Sequence, residues 1–169
     1  GLIGYAYHDA VFTNVTASGT VRSNVHGNTG GLIGYMLYTA TISNSSYTGA
    51  GVYGSYHNVG GFIGYAHDRV VSITNSFVGD GTNRVNISAG DGVGGLVGYT
   101  RSGATITNSY VANANITGST YVGGLVGESR RNGVTINNSY AGGSGGTKVT
   151  GSNFVGGLVG EMIGGSLNN

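Results

Sequence analysis

One phrase, Gly-Gly-Leu-Ile-Gly-Tyr at Gly30 to Tyr35, recurs along the chain, and its recurrence limits the fold more than any other feature. Its core begins at Gly1, Gly31, Gly61, Gly95, Gly124 and Gly157, in steps of 30, 30, 34, 29 and 33 residues. A second phrase keeps phase with it and ends on Asn14, Asn44, Asn75, Asn108, Asn138 and Asn169, each 12 to 14 residues after its glycine. A looser apolar segment follows, centred on Val21, Val52, Val85 with Ile87, Ile116 and Val149. Val59, Val93, Val122 and Val155 then lead back into the next Gly-Gly.

Each unit thus holds about three short strand-like runs, rich in β-branched and aromatic residues and without a helical period. A single unit of this kind cannot bury its apolar face, but stacked units can. The pattern predicts an all-β fold: a parallel β-helix or β-solenoid with about 30 residues and three short strands per coil, roughly five and a half coils in all. Strand spacing sets the rise at ~4.8 Å per coil and the rod at ~25 Å. The chain reads as one domain, with repeats at 1–30, 31–60, 61–94, 95–123, 124–156 and an incomplete 157–169.

In such a coil equivalent residues stack into files. Leu2, Leu32, Phe62, Leu96, Leu125 and Leu158 are expected to form one interior file. Phe12, Ile42, Ile73, Ile106, Ile136 and Leu167 are expected to form another. The glycines around Leu-Ile let the backbone turn tightly and let opposing walls approach. Asn14, Asn44, Asn75, Asn108 and Asn138 read as a ladder at a bend, since asparagine tolerates left-handed angles and its amide can bond its copy in the next coil. Two aromatic stacks are expected, one from Tyr5, Tyr35, Tyr65 and Tyr99, the other from Tyr47, Phe77, Tyr110 and Tyr140. The indels fall at Gly79 to Gly92 and Gly142 to Gly146, where a solenoid tolerates loops. The Ile33 file leaves two readings open: it points outward by strand alternation, or a local bend buries it with Leu32.

Composition removes several function classes. With 8% charged residues and a net charge of +1, the chain lacks the basic stripe that nucleic acid requires and the polybasic cluster of a membrane anchor. No apolar run approaches the ~18 residues of a membrane span, so no direct membrane insertion is expected. The absence of cysteine excludes disulfides and thiolate metal sites.

The six phased Gly-Leu-hydrophobic-Gly phrases resemble the GLUG-motif repeat family, over the whole length of the chain. Such repeats occur in large bacterial surface and secreted proteins, including adhesin-like proteins and regions attached to immunoglobulin-cleaving proteases. The resemblance implies a β-solenoid stalk or binding surface outside the cell, and it carries no catalytic residues.

The search for chemistry yields little. Glu128 and Glu161 replace the tyrosine of the first stack in adjacent coils, about one strand spacing or roughly 5 Å apart. That is the carboxylate separation of a retaining glycosidase, but a surface pair relieved by Arg130 or Arg131 is the stronger reading. His26 and His57 precede Gly-Gly phrases without a recurring third ligand. His8-Asp9 and His67-Asp68 read as solvated turn residues. Asp80 and Asp91 bracket a loop that lacks the nonapeptide calcium repeat. Sequons at Asn14, Asn44, Asn86, Asn115 and Asn137 are better explained by repeat grammar than by glycosylation. No catalytic residue, cofactor or metal site is expected, and the protein reads as non-enzymatic.

Surface files carry more promise. Thr13, Thr41, Ser43, Ser72, Thr74, Thr105, Thr107 and Thr135 flank the inward isoleucine file as two hydroxyl-rich rows, broken by Val11, Asn137 and Asn168. They form the candidate interaction face, and a flat array of this kind resembles the ice-binding face of some antifreeze proteins. The sixth unit lacks its third strand. A neighbouring copy or a longer array is expected to supply that pairing, because an open end exposes strand edges. The leading expectation is an extracellular or cell-surface β-solenoid: an adhesive segment of a bacterial surface protein, or a fibre subunit. It self-associates end to end or laterally, or meets a host or surface ligand. Ice binding is the alternative.

Overall fold

The computed structural model describes residues 1–25 and 27–168. Five strands open the chain: β1 (Ile3–Ala6), β2 (Ala10–Thr13), β3 (Thr16–Ala17), β4 (Thr20–Ser23) and β5 (Thr29–Gly30). Every later strand pairs in parallel with its equivalent one coil away, so that five sheets run the length of a β-solenoid. We number the sheets 1 to 5 after the strand that leads each. Sheets 1 and 2 have six strands, and sheets 3, 4 and 5 have five. The three runs expected per coil are sheets 1, 2 and 4. Two further segments join them: short sheet 3 directly after the ladder asparagine, and sheet 5 leading back to Gly-Gly.

Register follows the repeat. In sheet 1 Ile3 pairs with Ile33, then Ile63, Val97, Val126 and Val159, which reproduces the steps of the phrase. In sheet 4 Val21, Val52, Ile87, Ile116 and Val149 align. Sheet 2 shows why these residues make strands: in Ala40–Ser43 burial alternates with the pleat, Ala40 and Ile42 inside, Thr41 and Ser43 outside. The inward files converge on one continuous core in which Leu32, Phe62, Leu96 and Leu125 are fully buried, as are Ile42, Ile73, Ile106 and Ile136. Each such side chain contributes about 1.5–3 kcal/mol of burial. Leu2 and Leu158 share the file but not the burial: Leu2 is 52% exposed and Leu158 is half-buried, since each has a covering coil on one side alone.

Ile33, Ile63, Val97 and Val126 are also fully buried. The bend at Gly31–Leu32, between sheets 5 and 1, interrupts strand alternation, so both members of each Leu-Ile pair face inward. Glycine makes that bend possible: a Cβ on Gly30 would overlap the Ile33 carbonyl oxygen. The second glycine serves wall contact. A Cβ on Gly64 would lie 2.5 Å from the Thr29 nitrogen and 2.6 Å from the Gly34 carbonyl oxygen.

The bend after sheet 2 is left-handed at each ladder asparagine, with φ of 57°, 48°, 49°, 47° and 47° at Asn14, Asn44, Asn75, Asn108 and Asn138. Their side chains are exposed, and the hydrogen-bond ladder belongs to the next residue instead. Ser45, Ser76, Ser109 and Ser139 are buried. Each hydroxyl donates to the carbonyl two residues earlier, at 2.7–2.8 Å. Each also accepts a backbone N–H from the preceding coil, given by Val15, Ser45, Ser76 and Ser109 at 3.0–3.1 Å. Asn169, the sixth ladder position, lies outside the described residues.

Tyr47 departs from the expected aromatic stack. Phe77 pairs with Ser46, and Tyr47 pairs with Val78 on the inward side. Its ring is fully buried, and its hydroxyl lies 2.7 Å and 2.8 Å from the carbonyl oxygens of Gly19 and Gly51. Burial pushes its pKa up to about 12. Phe77, Tyr110 and Tyr140 do stack, with ring centres 5.1 Å and 5.2 Å apart and planes within 5°.

Candidate functional site

With the inward files filled by core, chemistry is confined to the outward files. Sheet 2 carries the predicted hydroxyl rows. Val11, Thr41, Ser72, Thr105, Thr135 and Ser166 align in one, and Thr13, Ser43, Thr74, Thr107, Asn137 and Asn168 in the other. All twelve are partly or fully exposed. Neighbours along the second row touch: the Thr13 and Ser43 hydroxyls are 3.2 Å apart, and the Asn168 amide donates to Asn137 Oδ1 at 3.0 Å. The structure therefore places the candidate interaction face on one sheet, in register, at strand spacing along the axis.

Sheet 1 carries a different chemistry. Tyr5, Tyr35, Tyr65 and Tyr99 form a continuous row with ring centres 5.0, 5.0 and 4.7 Å apart, but only Tyr5 and Tyr35 stack as expected; the other two contacts are edge-to-face, with planes 80° and 66° apart. Burial, then neighbouring rings, pushes the Tyr65 pKa up to about 12. The row continues through Glu128 and Glu161, register neighbours in adjacent coils. Glu128 is buried, and the Arg130 Nε donates to its Oε1. Glu161 Oε2 lies 3.9 Å from the same nitrogen. Burial raises the Glu128 pKa; Arg130 opposes that rise, and Glu161 adds to it. The pair is thus an acidic couple relieved by Arg130, as the sequence reading expects, but Glu128 lies inside rather than on the surface.

At the corner between sheets 1 and 2, His67 is not the free turn residue that its sequence context predicts. Its side chain is mostly buried, because Arg101 folds over it: Arg101 Nη1 donates to His67 Nε2 at 2.7 Å. That bond leaves the ring proton on Nδ1, which rests against the Asp68 carboxylate without hydrogen-bond alignment. Asp9 is likewise engaged, its Oδ1 accepting the Thr39 N–H at 3.0 Å. Arg101 was missed by sequence reading. It lies in the variable turn, where no repeat phrase marks it.

The other candidates separate. His57 Nδ1 lies 3.5 Å from Asp91, and His26 lies outside the described residues, so their expected neighbourhood is left without a structural answer. Asp80 closes its own loop, Oδ1 accepting the N–H groups of Thr82 and Asn83 at 2.8 and 3.2 Å. Those bonds hold its carboxyl below the usual range. Among the described residues no three histidine, cysteine, aspartate or glutamate side chains converge on a metal position. No helix among them is long and apolar enough to cross a membrane.

Parallel sheets in continuous register around one core define the class: a β-solenoid repeat protein. The first coil carries its sequence signature, since a model of the GLUG motif matches residues 1–22, consistent with the GLUG-motif repeat family. No curated protein and no solved structure matches the chain.

Proposed function

We propose that the chain is a non-enzymatic, extracellular β-solenoid: a rigid adhesive segment of a bacterial surface protein, or a subunit of an extracellular fibre. The observation that carries this reading is the unbroken register. It places the inward residues in one continuous core and leaves the outward files free to repeat one chemistry at ~4.8 Å intervals. Such a body supplies length, stiffness and repetition, which adhesion and fibre formation use. Antibody against the chain is expected to label intact producing cells. Labelling confined to lysed cells would overturn the extracellular reading. Electron microscopy of the purified chain is expected to show filaments, and dispersed particles alone would overturn self-association.

The aligned hydroxyl rows of sheet 2 favour one further reading, ice binding through Thr41, Ser72, Thr105 and Thr135 with Ser43, Thr74 and Thr107. Thermal hysteresis tests it: freezing-point depression no greater than that of albumin at equal concentration refutes it.

A further inference from the structure

Sheet 4 presents outward files that neither reading uses. One contains Asn86, Asn115 and Lys148 in register; beside it run Arg22, Tyr53, Ser88 and Thr117. An open cavity of about 480 Å³ is lined by Tyr53, Asn86, Ser88, Asn115, Thr117 and Lys148, with Arg22 beyond its Tyr53 end.

Three features make this cavity a built one. First, its amides are fixed in orientation. The Asn115 Nδ2 donates to Asn86 Oδ1 at 3.0 Å, and Arg84 Nη1 donates to Asn115 Oδ1 at 3.1 Å. Each Nδ2 keeps a second N–H for a ligand. Second, the two loop insertions are tied together beside it, through Arg84. Arg84, within the first, donates to the carbonyls of Gly145 at 2.6 Å and Gly146 at 3.2 Å in the second, across the intervening coil. Third, the floor is aromatic at one end. The Tyr53 ring folds over Gly51, where a Cβ would stand 2.7 Å from it, and the Arg22 guanidinium sits 4.1 Å from the ring centre. Cations mark both ends, Arg22 in the first coil and Lys148 in the fifth, and neither file contains a carboxylate. Four coil steps separate them, ~19 Å along the axis.

We propose that this groove binds an extended acidic polysaccharide lying along the solenoid axis. Sugar hydroxyls match the oriented amides and the Ser88 and Thr117 hydroxyls. Tyr53, whose ring is engaged by Arg22 and Gly51, offers its hydroxyl. Carboxylates borne by the sugar chain match Arg22 and Lys148. A protein partner would need apolar anchor pockets, and a nucleic acid would need a denser row of cations; the groove offers neither. This names the ligand class of the adhesive reading and rests on it.

Isothermal titration with polygalacturonate oligomers tests the groove. Wild type is expected to bind, and Asn115→Ala and Lys148→Gln are each expected to weaken binding about tenfold. Asn132→Ala, in the exposed turn between sheets 1 and 2, is expected to leave it unchanged. Circular dichroism of each variant shows whether the coil is intact; Tyr53→Ser supplies an independent groove variant if Asn115→Ala unfolds. No binding by wild type at millimolar oligomer overturns the proposal, as does wild-type affinity in folded Asn115→Ala and Lys148→Gln. Equal binding of neutral dextran, or of single-stranded DNA of the same length, overturns it too. Cell labelling is read separately, so labelled intact cells with no polysaccharide binding remove the groove and leave the surface location standing.

Discussion

Replacing Ser76 by alanine tests the buried serine ladder, the device that locks the bend between sheets 2 and 3. The Ser76 hydroxyl donates to the Thr74 carbonyl at 2.8 Å and accepts the Ser45 N–H at 3.1 Å. Its loss is unequal for these two groups. The Thr74 carbonyl keeps a second partner, the Asn44 N–H at 3.1 Å, whereas the Ser45 N–H loses its acceptor inside a buried bend. An unsatisfied buried donor costs about 1–3 kcal/mol, so Ser76→Ala is expected to destabilise by about 2 kcal/mol. For a chain of this length that lowers Tm by about 4–8 °C. Ser72→Ala, in the exposed file four residues earlier, is the control and is expected to stay within about 0.5 kcal/mol of wild type. Urea unfolding followed by circular dichroism reads both, provided the slope m is unchanged. Equal losses in the two variants, or a Ser76→Ala loss below about 0.5 kcal/mol, would refute the reasoning.

The repeat supplies its own contrasts for further tests. Gly4 and Gly64 hold the same place in the phrase, yet a Cβ on Gly4 meets nothing within 4 Å while one on Gly64 strikes backbone. Thermal melts are expected to show Gly4→Ala near neutral and Gly64→Ala destabilised by about 3 kcal/mol or more. Ser129 is fully buried with an unpartnered Oγ, where Ala66 stands two coils earlier. Ser129→Ala is therefore expected to stabilise by about 1 kcal/mol in denaturant titrations. Glu128 has a folded pKa raised, mainly by burial, above its ordinary value of 4.5. The native state then holds its proton more tightly than the unfolded chain. The stability this contributes is fully present below the unfolded value and is lost as pH rises through the folded one. Glu128→Gln is expected to flatten stability against pH in the window immediately above 4.5; an unchanged slope there would sink the assignment.

Stacking made most of the architecture legible. In-register pairing forces each coil to repeat the last, so phase in the sequence became register in the structure at Ile3, Ile33 and Ile63, and again at Ile42, Ile73 and Ile106. The errors have local causes. Tyr47 was aligned with Phe77 by residue type, but pairing follows backbone position. Asn44 is followed by two serines before its aromatic and Asn75 by one, so Ser46 takes the outward place and Tyr47 turns inside. The Leu-Ile pair could not be oriented from alternation, because Leu32 sits at a corner where the pleat is broken. The serine of each Asn-Ser step is visible in the sequence, but its role is not, since burial decides whether a hydroxyl caps a turn or links coils. The groove of sheet 4 was hidden by the insertions beside it: they shift the spacing and obscure the alignment of Asn86 with Asn115.

The contrast between inward and outward files shows where specificity can arise in such a chain. An inward residue touches its own coil, both neighbouring coils and the opposing walls, so Leu32, Phe62, Leu96 and Leu125 vary little in size. An outward residue touches chiefly its copies above and below. In the sheet 1 row tyrosine gives way to glutamate between Tyr99 and Glu128, while Val97 and Val126, two residues away on the inward side, stay fully buried and paired. Surface chemistry can thus change coil by coil without disturbing the fold. A ligand that spans several coils reads a row rather than a residue, and each contact repeats at the strand spacing of ~4.8 Å. Affinity is then built from modest contacts in sequence, as linked sites gain from effective concentration. A single outward substitution in the middle of a row should weaken such binding more than the same substitution at its end, because it divides one long contact into two short ones.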